Sequence, residues 1–160
     1  MTSASSTAAP VLSAAGLESG YGSAQVLFGV DLQVGRGEVV ALMGRNGMGK
    51  TTTVNSIMGF CRPLAGSVRF LGTEIAGAAP HRVARIGIGL VPEGRQIFPN
   101  LTVGENLRIG AIAQGRKLNG ELDRVFSLFP VLKDMQQRKG GVLSGGQQQQ
   151  LAIGRALLTD

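Results

Sequence analysis

Tryptophan is absent from this sequence, tyrosine, histidine and cysteine each occur once, and aromatic residues make up only 4% of it. A core built on large aromatic anchors is thereby excluded, so close backbone approaches must carry much of the packing. The 25 glycines among 160 residues suit that role. The single cysteine, Cys61, excludes an internal disulfide and reads as a small packing residue in a reducing compartment, so the expected address is the cytoplasm. No apolar run is long enough to cross a bilayer, and the opening Met1–Pro10 has neither the basic start nor the continuous apolar stretch of a secretory leader. Any role at a membrane must run through a partner. The net charge of +6 is spread along the chain, without a block of about five or six like charges. That excludes a nucleic-acid-binding arm and leaves solvated faces, or a general preference for anionic ligands or headgroups.

What is present is a chain of 43% hydrophobic residues, enough for one domain with a real core. The Ala/Ser/Thr-rich residues 1–10 bury too little apolar surface to offset the entropy of ordering them and read as a disordered tail. The fold should begin near Val11. Val30–Val34 alternates and predicts a half-buried strand, whereas Glu38–Met43 is nearly all apolar, as expected inside a parallel sheet covered on both faces. Gly35-Arg36-Gly37 separates the two. After Gly49 the period becomes helical, with Val54, Ile57 and Met58 on one face, and Pro63 and Gly66 are expected to stop it. Gly66–Gly72 then reads as a strand, Pro80–Arg85 as a short helix and Ile86–Val91 as another buried strand.

Beyond Pro92 the pattern is helical. Thr102 and Glu105 predict a capping box ahead of Leu107, and Leu122, Val125, Phe126 and Phe129 share one helical face before Pro130. With the polar link Gln114-Gly115-Arg116-Lys117, this suggests a helical insertion over about 94–141. A last helix follows over Gln147–Leu158, with Leu151 and Leu158 on one face and Gly154 between them permitting close approach.

Gly44-Arg45-Asn46-Gly47-Met48-Gly49-Lys50-Thr51 has the spacing of a loop that leaves a strand, wraps its N–H groups around phosphates and opens a helix. Lys50 would set its ammonium beside the β and γ oxygens, Thr51 would offer a hydroxyl to Mg²⁺, and the helix would add its positive end. Downstream, Leu143-Ser144-Gly145-Gly146-Gln147 can be an ordinary helix start capped by Ser144. Taken with the phosphate loop ahead of it, however, it resembles the signature of the ABC transporter ATPase family.

That resemblance covers almost the whole chain from Val11. It implies an α/β, P-loop NTPase core of the ABC ATPase type, with an antiparallel β subdomain and a helical insertion, truncated before the Walker B strand. Residues 11–160 would then be a partial nucleotide-binding domain. It also implies ATP and Mg²⁺ as cofactors, with Lys50 and Glu93 in catalytic roles. Nucleotide contacts would come from Tyr21, Gly44, Arg45, Asn46, Gly47, Met48, Gly49, Lys50, Thr51 and Thr52. Further contacts, to nucleotide held by a second copy, would come from Ser144, Gly145, Gly146 and Gln147. Tyr21 resembles the aromatic that stacks on adenine, or is a half-buried surface residue. Glu93 stands where most of the family has Gln; with Thr51 it is the expected Mg²⁺ contact. His81, the only histidine, reads as a surface residue.

The run Val91–Pro99 with Leu101-Thr102-Val103 and Glu105-Asn106-Leu107 resembles the ATPases of branched-chain amino acid importers, the LivF type. Urea importer ATPases have nearly the same run, usually with Gln at the position of Glu93; a urea or other amide importer ATPase remains one alternative, and a truncated nucleotide-binding module without hydrolysis the other. The expected partners are membrane permease subunits, a second ATPase subunit and, indirectly, a periplasmic or extracellular solute-binding protein. Nucleic acid is not among them. The expected place is the cytoplasmic face of the plasma membrane, held peripherally. The Asp that holds Mg²⁺ on the next strand, the Glu that polarises water and the switch histidine find no match here. The 160 residues alone are therefore expected to be inactive in hydrolysis and to fold poorly.

Overall fold

A computed structural model describes residues 9–112 and 120–159. Of the expected tail, residues 1–8 lie outside that range, as does the link at 114–117. The chain divides into two compact units, residues 1–80 and 81–160.

In the first unit, β1 (Leu12–Tyr21) and β2 (Ala24–Val34) form a long antiparallel hairpin. Within β2, Val30, Leu32 and Val34 are half-buried and alternate with exposed Asp31 and Gln33, as the sequence pattern required. The pairing slips between Ala14 and Leu17. There the Gly16 N–H, left without a ladder partner, donates to the Asp31 carboxylate at 2.8 Å. β3 (Ala65–Phe70) pairs with the other edge of β1, and β4 (Thr73–Glu74) follows, giving the all-antiparallel order β2-β1-β3-β4. The strand expected over Gly66–Gly72 ends early because Leu71 and Gly72, both with positive φ, form the two-residue hairpin turn.

Two expected strands are not formed. Glu38–Met43 and Ile86–Val91 run as irregular chain, with Val39 94% and Met43 91% exposed. An apolar segment holds strand geometry only where a neighbour completes its hydrogen-bond ladder. Among the described residues, no strand lies beside either one.

Helix α1 (Lys50–Ile57) lies against β1 and β2 and buries Thr52, Thr53, Ser56 and Ile57. Its buried face is thus more polar than the spacing of Val54, Ile57 and Met58 suggested. Thr53 Oγ1 and Ser56 Oγ are satisfied by the carbonyls of Gly49 and Thr52, one turn earlier. The helix ends at Gly59, well before Pro63. Gly59 has φ +78, its N–H reaches the Ser56 carbonyl, and the Phe60 N–H reaches that of Asn55 at 2.9 Å. This is a Schellman closure, which needs a residue in the left-handed region. A Cβ on Gly59 would also collide with the Ala78 carbonyl oxygen. Gly59→Ala is therefore expected to destabilise the first unit by about 2–4 kcal/mol, strain and overpacking combined. Urea denaturation checks this, and an unchanged midpoint would remove the argument.

The second unit is helical: α2 (Pro80–Arg85) enters it, followed by α3 (Val103–Ile112), α4 (Glu121–Leu128), α5 (Pro130–Asp134) and α6 (Gly145–Leu157). Pro130, which ends α4, also opens α5 at its first turn, where the missing N–H costs nothing. Val103, Leu107, Val125, Phe126, Leu132, Leu143, Leu151 and Leu158 form one buried cluster. Each full burial contributes about 1.5–3 kcal/mol. Gly154 lets α6 sit close: a Cβ there would lie 2.8 Å from Val125 and 3.2 Å from Leu107. The segment leading into α6 is tied to the chain ahead of α3 by Val103 N–H to Arg138 O, Gly140 N–H to Leu101 O and Gly141 N–H to Pro99 O, at 2.8–2.9 Å.

Candidate nucleotide site

The segment after β2 leads into the loop of residues 44–49. Gly47 and Gly49 take φ +85 and +82, and Gly49 is buried. A Cβ on Gly49 would come within 2.6 Å of the Leu27 side chain on β2. Glycine there meets both a backbone and a packing requirement.

Lys50 opens α1, and its ammonium folds back over the loop, donating to the carbonyls of Gly44 at 2.7 Å and Arg45 at 2.9 Å. The loop is thus closed around a cation. No side chain caps α1 and its first turn holds no acidic residue. Its leading N–H groups and positive dipole end are therefore uncompensated, which favours an anion.

Thr51 is exposed, whereas Thr52 and Thr53 beside it are buried. Among the described residues no group of three His, Cys, Asp or Glu side chains could hold a metal ion. Thr51 presents an exposed hydroxyl at the start of α1. Tyr21, at the end of β1, is 52% exposed, and its hydroxyl accepts from Asn55 Nδ2 of α1 at 3.2 Å. The first unit therefore carries Tyr21, the loop and Lys50–Thr52 together.

The second unit carries the other group. Ser144 caps α6 in a reciprocal capping box: Gln147 N–H donates to Ser144 Oγ, and Ser144 N–H donates to Gln147 Oε1 at 2.9 Å. Gly145 and Gly146 follow, exposed, and a Cβ on Gly146 would meet nothing. Glu93 is exposed in the turn closed by Arg95 N–H to Pro92 O. His81 is likewise exposed on α2, in keeping with a surface role. Cys61 is buried against Ser19 and the Gly20 carbonyl, a packing position as expected.

The family model described as ABC transporter matches residues 27–160. The chain belongs to that family. Over 87% of its length it is 41% identical to the high-affinity branched-chain amino acid transport ATP-binding protein BraG of Pseudomonas aeruginosa, and it covers 60% of that protein. It is 37% identical over 89% of its length to the probable branched-chain amino acid transport ATP-binding protein LivF of Archaeoglobus fulgidus, covering 61% of it. A solved structure of the ATP binding subunit of an ABC transporter superimposes on 93% of the chain with a TM-score of 0.80 at 32% identity, and the match covers 62% of that subunit. The chain thus spans about three fifths of the length of these relatives.

Within this ABC domain the sequence reading missed the side chains that hold the Glu93 turn and the chain that follows it. Asn106 is fully buried; its Oδ1 accepts from Phe98 N–H at 2.8 Å, and its Nδ2 donates to the carbonyls of Phe98, Leu101 and Thr102. A polar residue between Glu105 and Leu107 was the available signal, since Leu107 and Val103 mark that face as core. Glu105 itself closes the expected capping box with Thr102. The backbone N–H and then the hydroxyl of Thr102 hold its carboxyl below the ordinary range. Arg95 and Arg155 are the other two residues of this kind.

Proposed function

We propose that this chain is the nucleotide-binding part of an ABC importer ATPase, which couples ATP binding and hydrolysis to the uptake of branched-chain amino acids. The observation that carries the reading is the closed loop of residues 44–49, with the Lys50 ammonium held on two loop carbonyls at the uncompensated start of α1. Triphosphate oxygens offer Lys50 a stronger, charged acceptor than those carbonyls, so the ammonium turns to the β and γ oxygens while the loop N–H groups take the rest. Thr51 would hold Mg²⁺ through its hydroxyl, and the ion would supply charge neutralisation for the phosphates. Tyr21 offers its exposed ring to adenine.

Lys50 stabilises charge as it builds on the transferred phosphoryl group, and Glu93 would bind Mg²⁺ directly or through water. Ser144–Gln147 of a second ATPase subunit face the γ-phosphate, with the Gly145 and Gly146 N–H groups outside the capping box at the start of α6. The helical part over about 94–141 with Glu93 meets the permease subunits, peripherally on the cytoplasmic face. A solute-binding protein acts through those subunits. No helix among the described residues is long and apolar enough to cross a membrane.

The relatives named for branched-chain amino acid transport, together with Glu93, favour this solute class over urea. The test is reconstitution of the polypeptide that carries this chain with its permease in proteoliposomes. ATP hydrolysis should rise when binding protein loaded with leucine, isoleucine or valine is supplied. Stimulation by urea instead would overturn the solute assignment, and absence of ATP binding would overturn the whole reading.

A further inference from the structure

Between Ile86 and Leu101 the second unit has neither helix nor strand, yet this stretch carries Glu93. Its backbone is unusual immediately after that residue: Arg95 and Gln96 both lie in the left-handed region, with φ +67 and +43. Side chains other than glycine rarely adopt it without outside support. Local backbone bonds give little of that support, since only Arg95 N–H to Pro92 O and Gln96 N–H to Gly94 O close the turn.

The support comes from two arginines reaching between this turn and α6. Arg95 Nη1 donates to Gln148 Oε1 at 3.3 Å, and its guanidinium fills the space beside Gly145, where a Cβ would lie 3.2–3.5 Å from it. In the opposite direction, Arg155 of α6 donates from Nη2 to the Gln96 carbonyl at 2.8 Å, and its guanidinium carbon lies 5.4 Å from the centre of the Phe98 ring. Its stem is set by close packing on Gly110 of α3, where a Cβ would stand 3.1 Å from Arg155 Cγ. Phe98 is fixed in turn by Asn106. The two left-handed residues are therefore held from the helix that Ser144 opens.

We propose that Arg95 and Arg155 are positioning residues that clasp the Glu93 turn to the start and body of α6, so that displacement of the turn is transmitted to Ser144–Gln147. The inference rests on the proposed ATPase role for its kinetic consequence, but not for the clasp itself. Planar guanidinium groups suit the task, because each satisfies an acceptor at a fixed angle while packing flat against ring or backbone.

The test uses the full polypeptide and separates positioning from mere stabilisation. Arg95→Gly removes the guanidinium while relieving the left-handed strain, so the melting temperature should hold or rise. Even so, kcat for ATP should fall about tenfold or more with KM within about twofold, as loss of alignment without loss of binding requires. Gln148→Ala, which also gives up a bond to the Gly140 carbonyl at 3.4 Å, should lower kcat at least as much, and the double variant should fall no further than Gln148→Ala alone, because the bond the two share is removed once. Hydrogen exchange of residues 93–98 should speed up in Gln148→Ala and Arg155→Ala, although both changes lie on α6. An unchanged kcat in a folded Arg95→Gly protein, or additive losses, would overturn the inference. If the unsubstituted polypeptide fails to bind ATP, the functional reading is lost, and the exchange measurement alone decides the clasp: unaltered exchange at 93–98 would refute it.

Discussion

Lys50→Ala is expected to lower ATP hydrolysis by the polypeptide carrying this chain about 10²–10³-fold, corresponding to about 3–4 kcal/mol of lost transition-state stabilisation. The effect is electrostatic. A positive charge about 4 Å from a phosphate oxygen interacts by about 4 kcal/mol at the effective dielectric of a protein surface. Lys50 is half-exposed, so screening keeps the loss toward the lower end. The same substitution removes both tethers to the Gly44 and Arg45 carbonyls. Stability without nucleotide should then fall by only about 1–2 kcal/mol, the net worth of two accessible hydrogen bonds. Phosphate release and titration with a fluorescent ATP analogue measure the two effects separately. Hydrolysis within a few-fold of the unsubstituted level would show that the loop is not the phosphate site.

Asn106 gives the largest expected effect on stability. Asn106→Leu keeps the volume but deletes four hydrogen bonds at a fully buried position. The carbonyls of Phe98, Leu101 and Thr102 keep second donors in Leu101, Gly140 and Asn106 N–H, so the Phe98 N–H is the group left without a partner. A loss of about 2–4 kcal/mol follows. Asn106→Asp should cost more at neutral pH, because a buried carboxylate would face three carbonyl oxygens with no proton to donate. Its pKa would be raised, so its stability is retained below the ordinary carboxylate range and lost as pH rises through it. Urea midpoints at pH 5 and pH 8 test both the order and the sign. An Asp variant more stable at pH 8 than at pH 5 would contradict the assignment of its surroundings.

Elements whose stability is local could be read from the sequence. The Thr102–Glu105 capping box and the Ser144 cap both formed, since each needs only residues a few positions apart and a helix to follow. Gly154 was legible for a similar reason: a glycine between Leu151 and Leu158 on one helical face marks a close crossing, here with Val125 and Leu107. The end of α1 was misplaced because Pro63 and Gly66 are conspicuous stops. Gly59 stops the helix first by turning left-handed under the Ala78 carbonyl, and that contact lies far along the chain. Glu38–Met43 and Ile86–Val91 read as strands because hydrophobicity reports burial preference and says nothing of a hydrogen-bonding partner.

By itself, the sequence determined the glycine-rich loop ahead of α1, the Ser144-capped start of α6 and the family. These depend on spacing within one short segment, where covalent geometry does the placing. Only the tertiary structure decided that the sheet orders as β2-β1-β3-β4, that Lys50 closes its loop through the Gly44 and Arg45 carbonyls, and that Asn106, Arg95 and Arg155 hold the Glu93 turn against its own unit. Those bonds join residues distant in sequence or bend side chains back on the main chain. Their partners are fixed by packing, which no local pattern records.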